Sequence, residues 1–316
     1  MHPVLAIAAG QAPEPQAATD AAGTVFDAGD VIIKHVANGE HPLIHLPTLW
    51  GIDFSVTKHV FMLWFVAAIV FTTVTVLVRR FLAQPRLVPS LPMNFLEAGV
   101  EFIRDDVVLP NVGKKWLTAW TPLLLTFFAF ILTANAIGLV PIFDVLGLLD
   151  HYVLHTPENS FLQHLIHGGT TATGNFNVTA GLAIVTFMAI IVAGTKAHGF
   201  IGHWKNLVPG GLPWLLYLLM VPLEILSMFV RPFALTMRLA ANMTGGHIAL
   251  LVMLSFVFIV AGLAGSWIAG VGVGLVVSVP LAAALSGLEI IVVLVQAYVF
   301  TLLSAVFIGM AIHSHH

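Results

Sequence analysis

Between Lys205 and the C-terminus only four formally charged residues occur, Glu224, Arg231, Arg238 and Glu289, set in apolar stretches at about 212–264 and 268–312. No other feature constrains the fold as much. Apolar runs of this length belong in a bilayer, where every backbone N–H and C=O has to find its partner inside the protein, so the runs are helical. Composition agrees: 9% of the 316 residues are charged, against about 25% in a soluble domain. The expected fold is an all-α, polytopic integral membrane protein. A formal net charge of −3 argues against nucleic acid as a partner. With no cysteine, disulfides, thiolate metal sites and thiol chemistry are excluded. The opening "MHPVLAIAAGQAPEPQA" lacks a basic start and is not read as a signal peptide.

Residues 1–58 hold six carboxylates and a flexible "APEPQAATDAAG" stretch, and form a polar N-terminal segment. The membrane domain, 59–316, starts with a span at 59–81. Over 92–108, Phe95, Leu96, Gly99, Phe102, Ile103 and Val107 recur at helical period, with Glu97, Glu101, Arg104 and Asp105 mostly opposite. That pattern is an amphipathic helix lying along the membrane surface. Two further spans are expected at 120–141 and 176–196. As one helix, 212–264 would be about 80 Å long against a hydrocarbon core of about 30 Å. It either crosses twice or lies strongly tilted, and composition leaves both open. Six of the twelve basic residues fall between the first two spans, and Lys196 and Lys205 bracket the turn after the third, whereas 142–175 has none. The positive-inside rule then puts 79–117 and 196–211 in the cytoplasm and the N-terminus outside.

Charge inside the membrane points to function. An arginine at mid-bilayer costs from about 3 to over 10 kcal/mol and marks an ion pathway or a partner. Glu224, Arg231, Arg238 and Gly245 are seven residues apart, within a few tens of degrees on a helix. Asn242 follows Arg238 by one turn, and Ala234 and Ala241 keep that face small, so a neighbouring helix can approach closely. Arg231 and Glu224 fit a structural ion pair as well as a pathway. Arg238 has no such local carboxylate, and its counter-ion has to come from another helix or another protein. Glu289 and Gln296 are also seven apart on one face. His247 lies roughly opposite Arg238 on its helix and reads either as hydrogen-bonded packing or, with Glu289, as a proton relay. His151/His155 and His164/His167 in the 150–169 loop have helical metal-ligand spacing. The glycines there and the lack of a carboxylate pair favour a solvated loop, so no metal or other cofactor is expected. The terminal "HSHH" is too short to carry meaning.

"PLEILSMFVRPFALTMRLAANMTGGHIAL" (222–250) and "LEIIVVLVQAYVFTLLSAVFIGMA" (288–311) closely resemble subunit a of the F-type ATP synthase. So do "PLLLTFFAFILTANAIGLVP" and "TATGNFNVTAGLAI", and the resemblance covers about 60–311. It implies five membrane-embedded helices and one surface helix, with the last two forming a long tilted hairpin against a ring of c subunits. It implies that Arg238 is the stator arginine facing that ring, with Asn242 and Gln296 as polar companions. His247 and Glu289 take the family's coupled acid–histidine positions on the non-cytoplasmic side, and Glu224 the acidic position of the cytoplasmic half-channel. The family usually has Ser where this chain has Ala234, and Phe-Gly where it has Ala240-Ala241. Neither departure removes a titrating group. The implied partners are the c-ring, the subunit b peripheral stalk, the rest of the synthase and membrane lipid. The implied location is a bacterial inner membrane, with the N-terminus periplasmic and the C-terminus cytoplasmic.

On that resemblance the chain is a non-catalytic proton-channel subunit. Protons enter past His247 and Glu289, neutralise a c-subunit carboxylate, and leave past Glu224 after Arg238 has drawn the carboxylate back to its ionised form. Arg238 stays charged throughout and blocks a direct leak between the half-channels. A cation–proton antiporter is the competing class, but such transporters usually carry broken helices in both halves, whereas polar membrane residues here lie in the C-terminal half.

Overall fold

A computed structural model describes residues 55–83, 88–140, 150, 172–205 and 213–313. Most of the polar N-terminal segment, all four loop histidines weighed above and the last three residues lie outside the described residues.

The described residues are helical almost throughout. Helix α1 spans Lys58–Leu82, and α2 spans residues 91–112, with a π-helical stretch at Phe102–Val108. Helices α3 (Leu117–Leu139) and α4 (Phe176–His198) form the next pair, followed by the short α5 (Phe200–Lys205). Two long helices complete the chain: α6 (Trp214–Ala264) and α7 (Trp267–Ile312), the latter with a π-helical stretch at Gly274–Ser278. Among the described residues five helices, α1, α3, α4, α6 and α7, are long and apolar enough to cross a membrane.

Local chemistry sets several of the ends. Asn175 caps α4 by accepting the N–H of Asn177 at 2.8 Å. Arg79 and Arg80 occupy the last turn of α1, and Lys196 that of α4, where cations complement the negative helix end. Gly265, at φ +58°, ends α6 in a left-handed residue, with its N–H on Gly262 and the N–H of Ser266 on the Ala261 carbonyl. Those two bonds make a Schellman motif, which only a residue tolerant of positive φ supports cheaply.

The double-crossing reading of 212–264 does not hold. Trp214–Ala264 is one unbroken 51-residue helix despite internal Pro222 and Pro232. At 1.5 Å per residue that is about 77 Å, more than twice the thickness of the apolar layer. An apolar helix of that length stays in lipid only by lying steeply inclined. It turns back at Gly265 and packs against α7 as an antiparallel hairpin. Contact near the turn is close because Gly270 and Gly274 face Val257 and Ala261. A Cβ on Gly270 would fall 2.6 Å from the Val257 carbonyl.

The core lies among α2, α3, α4, α6 and α7, built on Ile103, Val107, Leu124, Ile131, Leu239 and Ile308. Phe127 and Phe300 meet edge to face at 5.5 Å. Deep in the bundle, Thr186 and Ser304 hydroxyls join α4 to α7 at 3.2 Å, so neither is left unsatisfied in an apolar surround. Gly309 of α7 rests directly on the Asn111 carbonyl at the end of α2, where a Cβ would collide. His203 of α5 fills the notch left by Gly194. Burial and the neighbouring His198 hold its imidazole below the ordinary histidine range. Helices α1 and α6 are the least buried of the five long helices, and α7 the most. The chain itself covers one side of the hairpin and leaves the other open.

Candidate functional site

The open side of α6 carries the polar residues. Arg238 and Asn242 are exposed, as are Ala234, Ala241 and Gly245 around them, while Leu235, Leu239 and Met243 on the same helix are buried against the bundle. Helical period thus divides α6 into a packed face and a bare one, with the arginine on the bare one. Among the described residues Arg238 has no carboxylate or hydrogen-bond acceptor in reach. Lipid tails can cover the exposed Phe233 and Met237 but cannot compensate a guanidinium charge.

Glu224 and Arg231, two turns apart on α6, form an ion pair at 3.2 Å. The Arg231 guanidinium also lies 5.6 Å from the centre of the Phe307 ring, a cation–π contact that fixes it to α7. Between the two readings open for this pair, the geometry includes the structural one. Seven-residue spacing therefore led to two different outcomes on one helix: Arg231 satisfied within the chain, Arg238 not.

A second polar group sits between α6 and α7. The Glu289 carboxylate reaches across to the backbone of Gly246, occupying the space where a Cβ would otherwise stand. There it is close enough to His247 for the two to interact electrostatically. Both are half-buried, and His247 Nε2 is shielded with no hydrogen-bond partner among the described residues. No hydrogen bond or ion pair joins the two side chains in this structure. Gln296, two turns from Glu289, is buried in the bundle.

Sequence reasoning missed several parts of this region. Gly246 was passed over, although its missing side chain is what admits Glu289. Asn135 in α3 is fully buried; it accepts a hydrogen bond from the Thr173 hydroxyl while its amide nitrogen has no partner among the described residues. Thr244 of α6 donates to the Gly174 carbonyl at 3.3 Å, next to Thr173. These groups link the N-terminal end of α4 to the α6 stretch that holds Gly246 and His247. A lone asparagine in an otherwise apolar span was the available signal, because an unpaired amide in lipid is costly.

Comparison with known proteins gives the family. Residues 60–309 match the ATP synthase A chain family. ATP synthase subunit a 2 of Chlorobium luteolum is 41% identical over 310 residues, covering 94% of this chain and 80% of that protein. ATP synthase subunit a of Chlorobium phaeobacteroides is 39% identical over 318 residues, covering 98% and 82%. The corresponding protein of Myxococcus xanthus is 39% identical over 266 residues, covering 84% and 75%. With its five apolar helices and a match running from the first of them into the last, this multi-pass membrane protein belongs to the ATP synthase A chain family.

Proposed function

We propose that the chain is the stator subunit of a proton-driven rotary ATP synthase, and that the bare face of α6 meets a ring of small subunits each carrying one membrane carboxylate. The observation that carries this reading is Arg238: exposed, set among small residues, and without a counter-ion in its own chain among the described residues. A moving carboxylate supplies that counter-ion transiently. Arg238 favours the ionised acid as it arrives, so the proton leaves, and the fixed positive charge repels protons that would otherwise run straight through. His247 and Glu289 form the entry relay, reached through polar groups that include Asn135 and Thr173. Glu224, steadied by Arg231, lines the exit. Gln296 supports the α7 side of the interface. Each proton crossing the full potential contributes about 2.3 kcal/mol per 100 mV, and the offset between entry and exit converts this into rotation. The chain makes and breaks no covalent bond; catalysis belongs to the assembled complex. Charges inside the spans, away from their ends, lie on α6 and α7 alone, so no observation favours an antiporter built from two similar halves.

The docking face is tested by disulfide cross-linking in this cysteine-free chain. Ala234→Cys and Ala241→Cys are expected to cross-link to a cysteine placed one turn from the ring carboxylate. Leu239→Cys, on the packed face, is expected not to. Cross-linking from position 239 alone, or from none of the three, removes the ring from this face.

The proposed orientation has α5 on the cytoplasmic side and the N-terminus outside. Phe200→Cys is expected to react with an impermeant thiol reagent only in inverted vesicles, and His155→Cys only from outside intact cells. The opposite labelling pattern exchanges the two half-channels.

A further inference from the structure

At the ends of three spans, on the side where α3 begins and both α4 and α7 finish, lies a cavity of about 310 Å³ that the rotary mechanism leaves unused. Its lining includes Lys114, Lys115, Trp116, His198 and His313, over a floor with Val112 and Ile312. Both lysines are exposed, and neither is in an ion pair among the described residues. The Lys115 ammonium sits 5.5 Å from the centre of the Trp116 ring, half-buried at the first residue before α3.

The histidines set the polarity of the pocket. Carbonyls at the end of a helix normally repel an anion. Here His198 Nε2 donates to the Ile312 carbonyl at 2.9 Å, and His313 Nε2 donates to the Val112 carbonyl at 3.1 Å. Two acceptors that would oppose negative charge are thereby occupied, leaving the lysines as the accessible charge. The same bonds, with Gly309 seated on the Asn111 carbonyl and Gly113 turning at φ +80°, tie the walls together from three separate segments. The cavity is held open by the fold and not by loose side chains.

We propose that this pocket binds the phosphate of an acidic phospholipid headgroup, with the two lysines on the phosphate and Trp116, Val112 and Ile312 against the glycerol and upper acyl region. Basic pockets between helices at the membrane surface, flanked by an interfacial tryptophan, have the chemistry that acidic lipids select. Occupancy would brace the ends of α2, α4 and α7 against one another, and with them the far end of the helix that carries Glu289.

Full-length chain, delipidated in detergent, is mixed with phosphatidylglycerol and phosphatidylcholine of matched acyl chains, and retained lipid is read by native mass spectrometry. Wild type is expected to retain phosphatidylglycerol about tenfold over phosphatidylcholine. The double variant Lys114→Gln, Lys115→Gln is expected to lose that preference, with its thermal midpoint in phosphatidylcholine alone unchanged as a folding check. Lys205→Gln, outside the pocket, is expected to keep the preference. Inorganic phosphate, at ionic strength matched with chloride, is expected not to displace the lipid, because it has no apolar portion for the floor. Three results would overturn the proposal: an undiminished preference in the double variant, equal loss with Lys205→Gln, or displacement by inorganic phosphate, which identifies a free-anion site instead.

Discussion

Arg238→Ala is expected to abolish ATP-driven proton pumping, with assembly into the membrane complex largely intact. The expected loss is large because it is electrostatic. A guanidinium about 4 Å from a carboxylate contributes roughly 4 kcal/mol at an effective dielectric of about 20, or about a thousandfold in favour of the ionised acid. Without it the incoming acid keeps its proton, no release follows, and rotation is no longer tied to transfer. Packing should suffer little, since Arg238 is exposed and its neighbours Ala234 and Ala241 are small. Arg238→Lys is expected to fail as well, because an ammonium gives up its proton when desolvated whereas a guanidinium does not. The measurement is acidification of inverted vesicles on adding ATP, with complex content followed by immunoblot. Near wild-type acidification in Arg238→Ala would sink the stator reading whatever the second variant does.

The next largest effect is expected at the His247–Glu289 pair. His247→Ala and Glu289→Ala should each lower proton flux by roughly a hundredfold, the low end of what a positioned proton-transfer group contributes. The double variant should be little worse than the poorer single, because groups that act as one unit are strongly non-additive. Exchanging the pair, His247→Glu with Glu289→His, should restore part of the flux by returning one acid and one imidazole to the same place. Gly246 adds a geometric arm. Gly246→Ala puts a methyl where the Glu289 carboxylate now lies, and should lower flux although it removes no titratable group. Glu289→Asp, shorter by one methylene, should recover part of that loss. Additive losses in the alanine cycle would separate the two residues and move the entry path to other polar groups, with Asn135 first among them.

These two predictions differ in how far the sequence alone could reach. Arg238 was visible at once: a permanent charge in an uncharged stretch, with small residues at helical spacing, forces the question of a partner before any coordinates exist. The all-helical membrane fold followed from the same rule, that lipid offers no hydrogen bonds. The helix over 92–108 followed from the period of its apolar residues. Each depends on local pattern and on the solvent, and both are written along the chain.

What required the tertiary structure depends on which distant residues meet. Glu224 and Arg231 share the spacing of Arg231 and Arg238, so periodicity could not separate the paired arginine from the unpaired one. The 3.2 Å contact and the Phe307 ring did. Composition allowed 212–264 to cross twice or lie tilted; one continuous helix turning at Gly265 decided it, because a turn needs several local conditions that a hydropathy pattern does not carry. Gln296 has the period to share a face with Glu289, but how deeply it is buried is set by what packs on that face. Gly246 has no chemistry of its own and gave no signal until Glu289 was found in its space. The sequence determined which residues cannot be at rest in lipid. Only the packing of α6 on α7 and the bundle decided which of them are satisfied within the chain, because hydrogen bonds and ion pairs form between neighbours in space.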